Sequence, residues 1–295
     1  MNSFQFTLFG KNGMSSERFE LITLKSGHTS LRLLSNRETF HPVIGPEAEA
    51  RALHVVQQRI VERSRDYQPF IIWDVGLGAA ANAVAALDAL ADASGEFELH
   101  SFDHTLAPLR FACEHSEHLV YIQPYRAAIE ELMLKGQVKF GRVHWYLHKA
   151  DFRESLERSD LPAPHAIFYD PYSATSNPEM WTLEHFTRLR RALDDQRPCL
   201  LTNYTRSTAV RSTWLLAGFY VGIGVGIGEK DQTTIASNEL SLLERPLALD
   251  WLKQVSASQN SNPLREAGTI YGPMNTADFE RLRQHPQFHM RSLCL

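Results

Sequence analysis

The stretch from Phe70 to Asn82, F-I-I-W-D-V-G-L-G-A-A-A-N, constrains the fold of this chain more than any other. Four apolar residues (Phe70, Ile71, Ile72, Trp73) run into Asp74, Val75, Gly76, Leu77 and Gly78, and the alanine-rich segment 79–93 follows. An apolar run ended by glycines and continued by helix formers reads as a buried strand, a tight turn and a helix. In an open α/β sheet, ligands lie outside the carboxyl ends of the strands, and the first such turn usually holds a nucleotide. Glycines let the backbone approach a ligand without Cβ interference. The helix that follows offers its free N–H groups at the same place.

The motif is D-x-G-x-G. It is not G-x-G-x-x-G, since alanines and Asn82 fill the later positions, and no Gly-Lys-Ser/Thr follows to make a phosphate loop. An acidic residue before the first glycine favours a ligand carrying an amino group, the S-adenosyl-L-methionine variant of the turn. A turn with no ligand is the alternative. Phe97–Asp103 is a second strand, ending in an acid about 25 residues beyond the glycines, where a doubly wound fold places its ribose-binding carboxylate. Asp103 is therefore the candidate ribose ligand, with a solvated strand end as the alternative. Asp151, after the strand ending at Lys149, is either an acceptor for an adenine amino group or a helix N-cap.

Composition narrows the partners. Hydrophobic residues make up 43% of the 295 residues, charged ones 22%, and the formal net charge is −4. Without a global basic field, nucleic acid must be bound through a local patch. Cys113, Cys199 and Cys294 are odd in number and widely spaced. They suit a reducing compartment and give neither a disulfide framework nor a metal pattern. The N-terminus lacks a basic region followed by an apolar run, so no signal peptide is read and a cytoplasmic protein is expected. The segment 79–90 is too short and too polar to span a bilayer.

Taken in order, residues 20–41 alternate in part and suggest a β-hairpin. Pro46, Glu47 and Glu49 open a helix, with Ala50, Leu53, Val56, Ile60 and Val61 as its apolar stripe. Helical segments fill 105–134. Strands follow at 143–149, 166–170 and in C-L-L-T-N-Y, with a helix between Leu183 and Leu193 whose start Asn177 and Pro178 signal. A helix through Val210–Ala217 ends at Gly218 as C′, and the strands F-Y-V-G-I-G-V-G and T-T-I-A-S close the pattern. This order suits a mostly parallel sheet with one antiparallel strand. Three regions are expected: 1–65 with hairpin and leading helix, 66–240 as the Rossmann-like domain, and 241–295 as a C-terminal extension. The last has no clear periodicity and contains the linker-like S-A-S-Q-N-S-N-P.

Methyl transfer to an amine is in-line displacement at a sulfonium carbon. It needs position, a neutral lone pair and exclusion of water. It does not need a metal or a covalent nucleophile, and the sequence has no H-E-x-x-H, C-x-x-C or G-x-S-x-G. Asp170, at a strand end expected beside the first strand, could hold an amine by a charge-assisted hydrogen bond and take its proton. A structural Asp is the alternative. Arg188, Arg190, Arg191, Arg197, Arg206 and Arg211 form the local basic stretch. The first three read as a solvated helix face, whereas Arg206 and Arg211 follow the strand ending near Tyr204 and are candidates for a nucleic-acid contact.

Four ordered segments carry a family resemblance: Thr39–Ala50 (T-F-H-P-V-I-G-P-E-A-E-A), Asp170–Trp181 (D-P-Y-S-A-T-S-N-P-E-M-W), Tyr204–Phe219 (Y-T-R-S-T-A-V-R-S-T-W-L-L-A-G-F) and Gly226–Lys230 (G-I-G-E-K). From about residue 29 to 238 the chain resembles the MnmC-like family. This comprises the methyltransferase part of bacterial tRNA 5-methylaminomethyl-2-thiouridine biosynthesis proteins and its stand-alone relatives. The resemblance implies a Rossmann-like class I methyltransferase that uses S-adenosyl-L-methionine. It implies an acceptor in the 5-aminomethyl group of the tRNA wobble uridine. A small amine, or a non-catalytic nucleotide-binding module, are the alternatives. Carried over by position, Asp74, Gly76 and Gly78 contact the methionine part of the cofactor, Asp103 the ribose, and Asp170 the target amine. Tyr172, Asn177, Trp181 and Lys230 match motif positions for substrate. Ala174 replaces the family's proline, and the opening turn lacks the family's third glycine. The family's frequent oxidase module is not expected, because the roughly 55 residues after 240 are too few for one.

Overall fold

The computed structural model describes residues 18–41, 44–228, 231–268 and 271–289. Lys230 lies outside them. The chain divides into two compact units, residues 1–152 with 227–230, and residues 153–226 with 231–295.

The first unit opens with the expected hairpin, β1 (Phe19–Thr23) antiparallel to β2 (Thr29–Leu33). Helix α1 (Pro46–Ala50) begins at its proline but is α-helical for only five residues. Residues 51–56 continue it as a π-helix, and left-handed Arg59 precedes α2 (Ile60–Arg63). Widened turns change the angle per residue, so the 3.6-residue stripe drifts out of phase. Leu53 and Ile60 stay buried, but Val56, expected on the apolar stripe, is 60% exposed.

Strand β3 (Phe70–Val75) is buried along its whole length, as an interior parallel strand must be. Then come α3 (Ala81–Leu90), β4 (Phe97–Asp103), α4 (Ala107–Glu114), α5 (Arg126–Lys135), β5 (Gln137–Phe140) and β6 (Val143–Lys149). Their sheet order is β5-β6-β4-β3. Strands β3, β4 and β6 are parallel, with Asp74 beside Ser101 and Ser101 beside Leu147. β5 runs antiparallel to β6 and was not singled out in the sequence: it is four residues long, alternately exposed, and sits at an edge.

After the one-turn α6 (Phe152–Ser155), the second unit contains β7 (Ala166–Tyr169), α7 (Leu183–Ala192), β8 (Leu200–Asn203), α8 (Thr208–Leu216), β9 (Tyr220–Gly224) and β10 (Thr233–Ser237). β7 and β8 are parallel, and β10 is antiparallel to both β8 and β9. Asn177 precedes only a 3-10 turn, Pro178–Trp181, and makes no capping bond. The cap of α7 is Thr182, whose hydroxyl accepts the His185 N–H.

The C-terminal extension is built into this unit rather than trailing from it. Helices α9 (Trp251–Ala257) and α10 (Thr276–Arg283) flank the linker-like stretch, where Ser261 is fully buried and both Ser261 and Asn262 donate to Gly272 O. Residues 245–247 lie along β9, with Ile223 N–H on Arg245 O and Leu247 N–H on Val221 O, each 2.9 Å. The Gln287 amide completes the edge. Its Oε1 accepts the Val221 N–H at 2.7 Å, and its Nε2 donates to Val221 O and Leu247 O at 2.8 Å. An unpaired edge strand invites pairing with other chains, and here one side chain supplies the missing partner. Arg265 grips Asp278 of α10 with two 2.8 Å contacts.

Two outcomes follow. Gln287→Ala strips buried backbone groups of their partners and should cost about 2–4 kcal/mol in urea unfolding. Burial pushes the Asp278 carboxyl up, but hydrogen bonds from Arg265 and Asn275 and the charges of Arg265 and Arg281 outweigh it and hold the pKa below its usual value. The stabilisation is therefore complete above the unfolded carboxylate pKa of about 3.9 and is lost as pH falls through the lower folded value. Asp278→Asn should be less stable than wild type at pH 7, with the gap closing in acid.

Candidate functional site

In the first unit, three alternate residues of the glycine turn adopt left-handed backbone: Gly76 (φ 91°), Gly78 (φ 52°) and Ala80 (φ 62°). Only the first two are glycines, and Ala80 is the third left-handed position. The turn keeps its shape there at the expense of strain, about 1–2 kcal/mol for an L-residue in this region. The N–H groups of Gly76 and Leu77 both reach Phe102 O, at 3.0 and 3.1 Å, and tie the turn to the end of β4.

Asp103 stands at that strand end. Its Oδ2 accepts the Gly78 N–H at 2.9 Å and its Oδ1 the Thr105 N–H at 3.1 Å. Burial raises its pKa against the lowering effect of those two bonds and of His104. Additional donors, such as ribose hydroxyls, would favour the charged form. Phe40 also lies against Gly78: a Cβ at Gly78 would come within 3.2 Å of its ring. Phe40 is set by the hairpin, through its N–H on Leu31 O and edge-on packing against Phe19. Helix α3 starts without a side-chain cap, which leaves its first-turn N–H groups to an anionic ligand.

Asp74 differs from expectation. It is fully buried, and its Oδ2 accepts the Ser101 hydroxyl at 2.8 Å, which in turn accepts the Trp145 indole N–H at 2.9 Å. The carboxylate ties β3 to β4 and, through Ser101, to β6, and is closed off from solvent. Asp151 is half-buried between β6 and α6.

In the second unit, half-buried Asp170 directly follows β7, and its loop is pinned at several points. The Trp181 indole donates to Tyr172 O at 2.9 Å, and the Tyr169 hydroxyl donates to Met180 O. Trp181 is 1% exposed and packs on Tyr169, Phe186 and Tyr204. It is the loop's anchor, which corrects its assignment to substrate. Tyr172 remains half-buried, and Asn177 lies against the Glu179 carboxylate.

Arg211 is the second correction. At 2% exposure it donates to Thr234 Oγ1, Thr233 O and Gln232 Oε1, and burial lowers its pKa to about 10. A buried guanidinium with these partners offers nothing to a phosphate. Arg206 is exposed and pairs with Asp231 at 2.8 Å. Sequence reading also passed over Asn203, which joins the ends of β7 and β8. Among the described residues, no cluster of acidic, His and Cys side chains could hold a metal ion, and no helix is long and apolar enough to cross a membrane.

Residues 116–239 match the family described as S-adenosyl-L-methionine-dependent methyltransferase. MNMC2 from Aquifex aeolicus superposes with a TM-score of 0.69 over 92% of this chain and 86% of that one, at 23% identity. The tRNA 5-methylaminomethyl-2-thiouridine biosynthesis bifunctional protein MnmC of Ectopseudomonas mendocina is 29% identical over 201 residues. The chain is similar to the MnmC-like methyltransferases. The MnmC of Leptospira interrogans is 24% identical over 247 residues. These alignments cover 62% and 79% of this chain, but only 29% and 38% of the two bifunctional proteins. The fold is Rossmann-like, with a mostly parallel sheet, and the cofactor is S-adenosyl-L-methionine. The turn fits that cofactor in its left-handed backbone, its uncapped helix start and the carboxylate of Asp103.

Left-handed Ala80 yields a direct test. Ala80→Gly relieves strain while adding chain entropy and losing a buried methyl, so stability should change by no more than about 0.5 kcal/mol. Ala85→Gly, buried inside α3, should cost about 1–2 kcal/mol. Equal losses in thermal unfolding would mean that position 80 is not left-handed in solution.

Proposed function

We propose that this protein transfers a methyl group from S-adenosyl-L-methionine to an amino nitrogen, and that its acceptor is the 5-aminomethyl group of the wobble uridine in tRNA. The observation that carries the reading is Asp170, placed at the end of β7 on a loop tied down by Tyr169 and Trp181. The bifunctional relatives are named for tRNA 5-methylaminomethyl-2-thiouridine biosynthesis, which supports the choice of acceptor.

The Gly76–Ala80 turn and Asp103 would hold the cofactor, the α3 start offering N–H groups to its carboxylate and Asp103 a carboxylate to its ribose. Asp151 is the proposed partner of the adenine amino group. The cofactor supplies an activated methyl on a sulfonium. The Asp170 carboxylate holds the acceptor amine and takes its proton, so that a lone pair is available for in-line attack. Tyr172 and Asn177 belong to the acceptor side. Arg206 is the candidate phosphate contact; a surface ion pair such as its pairing with Asp231 is weak enough to be exchanged. A cytoplasmic setting follows from a tRNA acceptor.

The test is methyl transfer from labelled S-adenosyl-L-methionine to tRNA that lacks the wobble modification. Wild type should label the RNA. Asp170→Ala should bind the cofactor normally in calorimetry while turnover drops by about 10²–10⁴-fold. Labelling of small primary amines but not of RNA would replace the tRNA acceptor with a small amine, and wild-type turnover by Asp170→Ala would remove this residue from the mechanism.

A further inference from the structure

The β7–β8 ladder runs from Ala166 beside Leu200 to Phe168 beside Thr202. One residue further on, a side chain takes over. Asn203 is fully buried, and its Nδ2 donates to Tyr169 O at 2.8 Å. Its Oδ1 accepts the Thr205 N–H at 2.7 Å. Thr205 O accepts the Thr234 hydroxyl at 2.6 Å, and Thr234 Oγ1 accepts Arg211 Nε at 3.0 Å. The amide is thus held at one end by a polar chain that passes through half-buried Thr205 to β10, and its other end grips the last carbonyl before Asp170.

That carbonyl and the Asp170 N–H share one rigid peptide plane. Fixing the carbonyl fixes the plane from which the Asp170 Cα hangs. We propose that Asn203 is a positioning residue that sets the Asp170 carboxylate for the acceptor amine, with Thr205, Thr234 and Arg211 as its support. This rests on the reading of Asp170 given above. A simple packing role would be filled by an apolar residue of similar size. An amide that both donates to one strand end and accepts from the next loop fixes orientation as well as distance.

Asn203→Asp tests it, because the carboxylate can still accept from Thr205 but cannot donate to Tyr169 O. Expected are a folded protein by circular dichroism, an unchanged cofactor Kd, and a kcat lowered about 10–100-fold, since small misplacements near the reacting centre cost this much. The acid limb of the kcat pH profile should also move, because the surroundings of Asp170 change. Asn203→Ser, which keeps a donor but cannot bridge both groups, should fall between the two and serves if the Asp variant does not fold. Ser237→Ala is the control: it removes a buried hydroxyl that donates to Cys199 O at 2.8 Å, beside the opposite end of β8. It should lose stability without losing kcat. Wild-type kcat in both Asn203 variants, or an equal loss in Ser237→Ala, overturns the positioning role while leaving Asp170 in place. Wild-type turnover by Asp170→Ala removes both.

Discussion

Parallel strands that diverge at their carboxyl ends stop pairing with each other, and the backbone groups released there must find other partners. Much of the candidate chemistry in this protein is organised around that requirement. At the end of β4, Asp103 takes the N–H of Gly78. At the end of β7, the amide of Asn203 takes the carbonyl of Tyr169. In both places a side chain replaces a rung of the ladder, and the groups beside it belong to the proposed cofactor and acceptor sites. Glycines alone would give the turn its shape but not its rigidity; the bonds to Phe102 and Asp103 supply that.

The central elements were legible because their signals are local. An apolar run ending in D-V-G-L-G has few readings, and the strand ends at Asp103 and Asp170 follow from the same logic. What the sequence hid were side-chain destinations. Arg206 and Arg211 look alike in a basic stretch, yet one is exposed and the other lies 2% exposed among threonines. Asp74 suggested a ligand contact, and the structure adds a bond from the serine one strand over to one of its carboxylate oxygens. β5 was too short to register, and the π-helix at 51–56 broke a stripe that a 3.6-residue period makes look continuous. The extension after 240 was opaque because it is joined to the sheet by backbone and one glutamine, and neither leaves a periodic trace.

The N-terminal hairpin belongs to the same site. The Phe40 ring lies against the Cβ direction of Gly78, while Asp103 holds its N–H. A side chain at position 78 would need both an unfavourable φ and a displaced ring, so the glycine is required twice over. The resemblance in the 39–50 segment thus has a physical counterpart in what it packs against.

The Gln287 amide also imposes an order on biosynthesis. Val221 and Gln287 are separated by 66 residues. At about 5–20 residues per second, a ribosome needs roughly 3–13 seconds to make that interval. During it the outer rim of β9 exists without its final partner, on a nascent chain among many copies of itself. The last described stretch of the polypeptide is therefore the piece that ends the period in which this sheet can recruit a stranger.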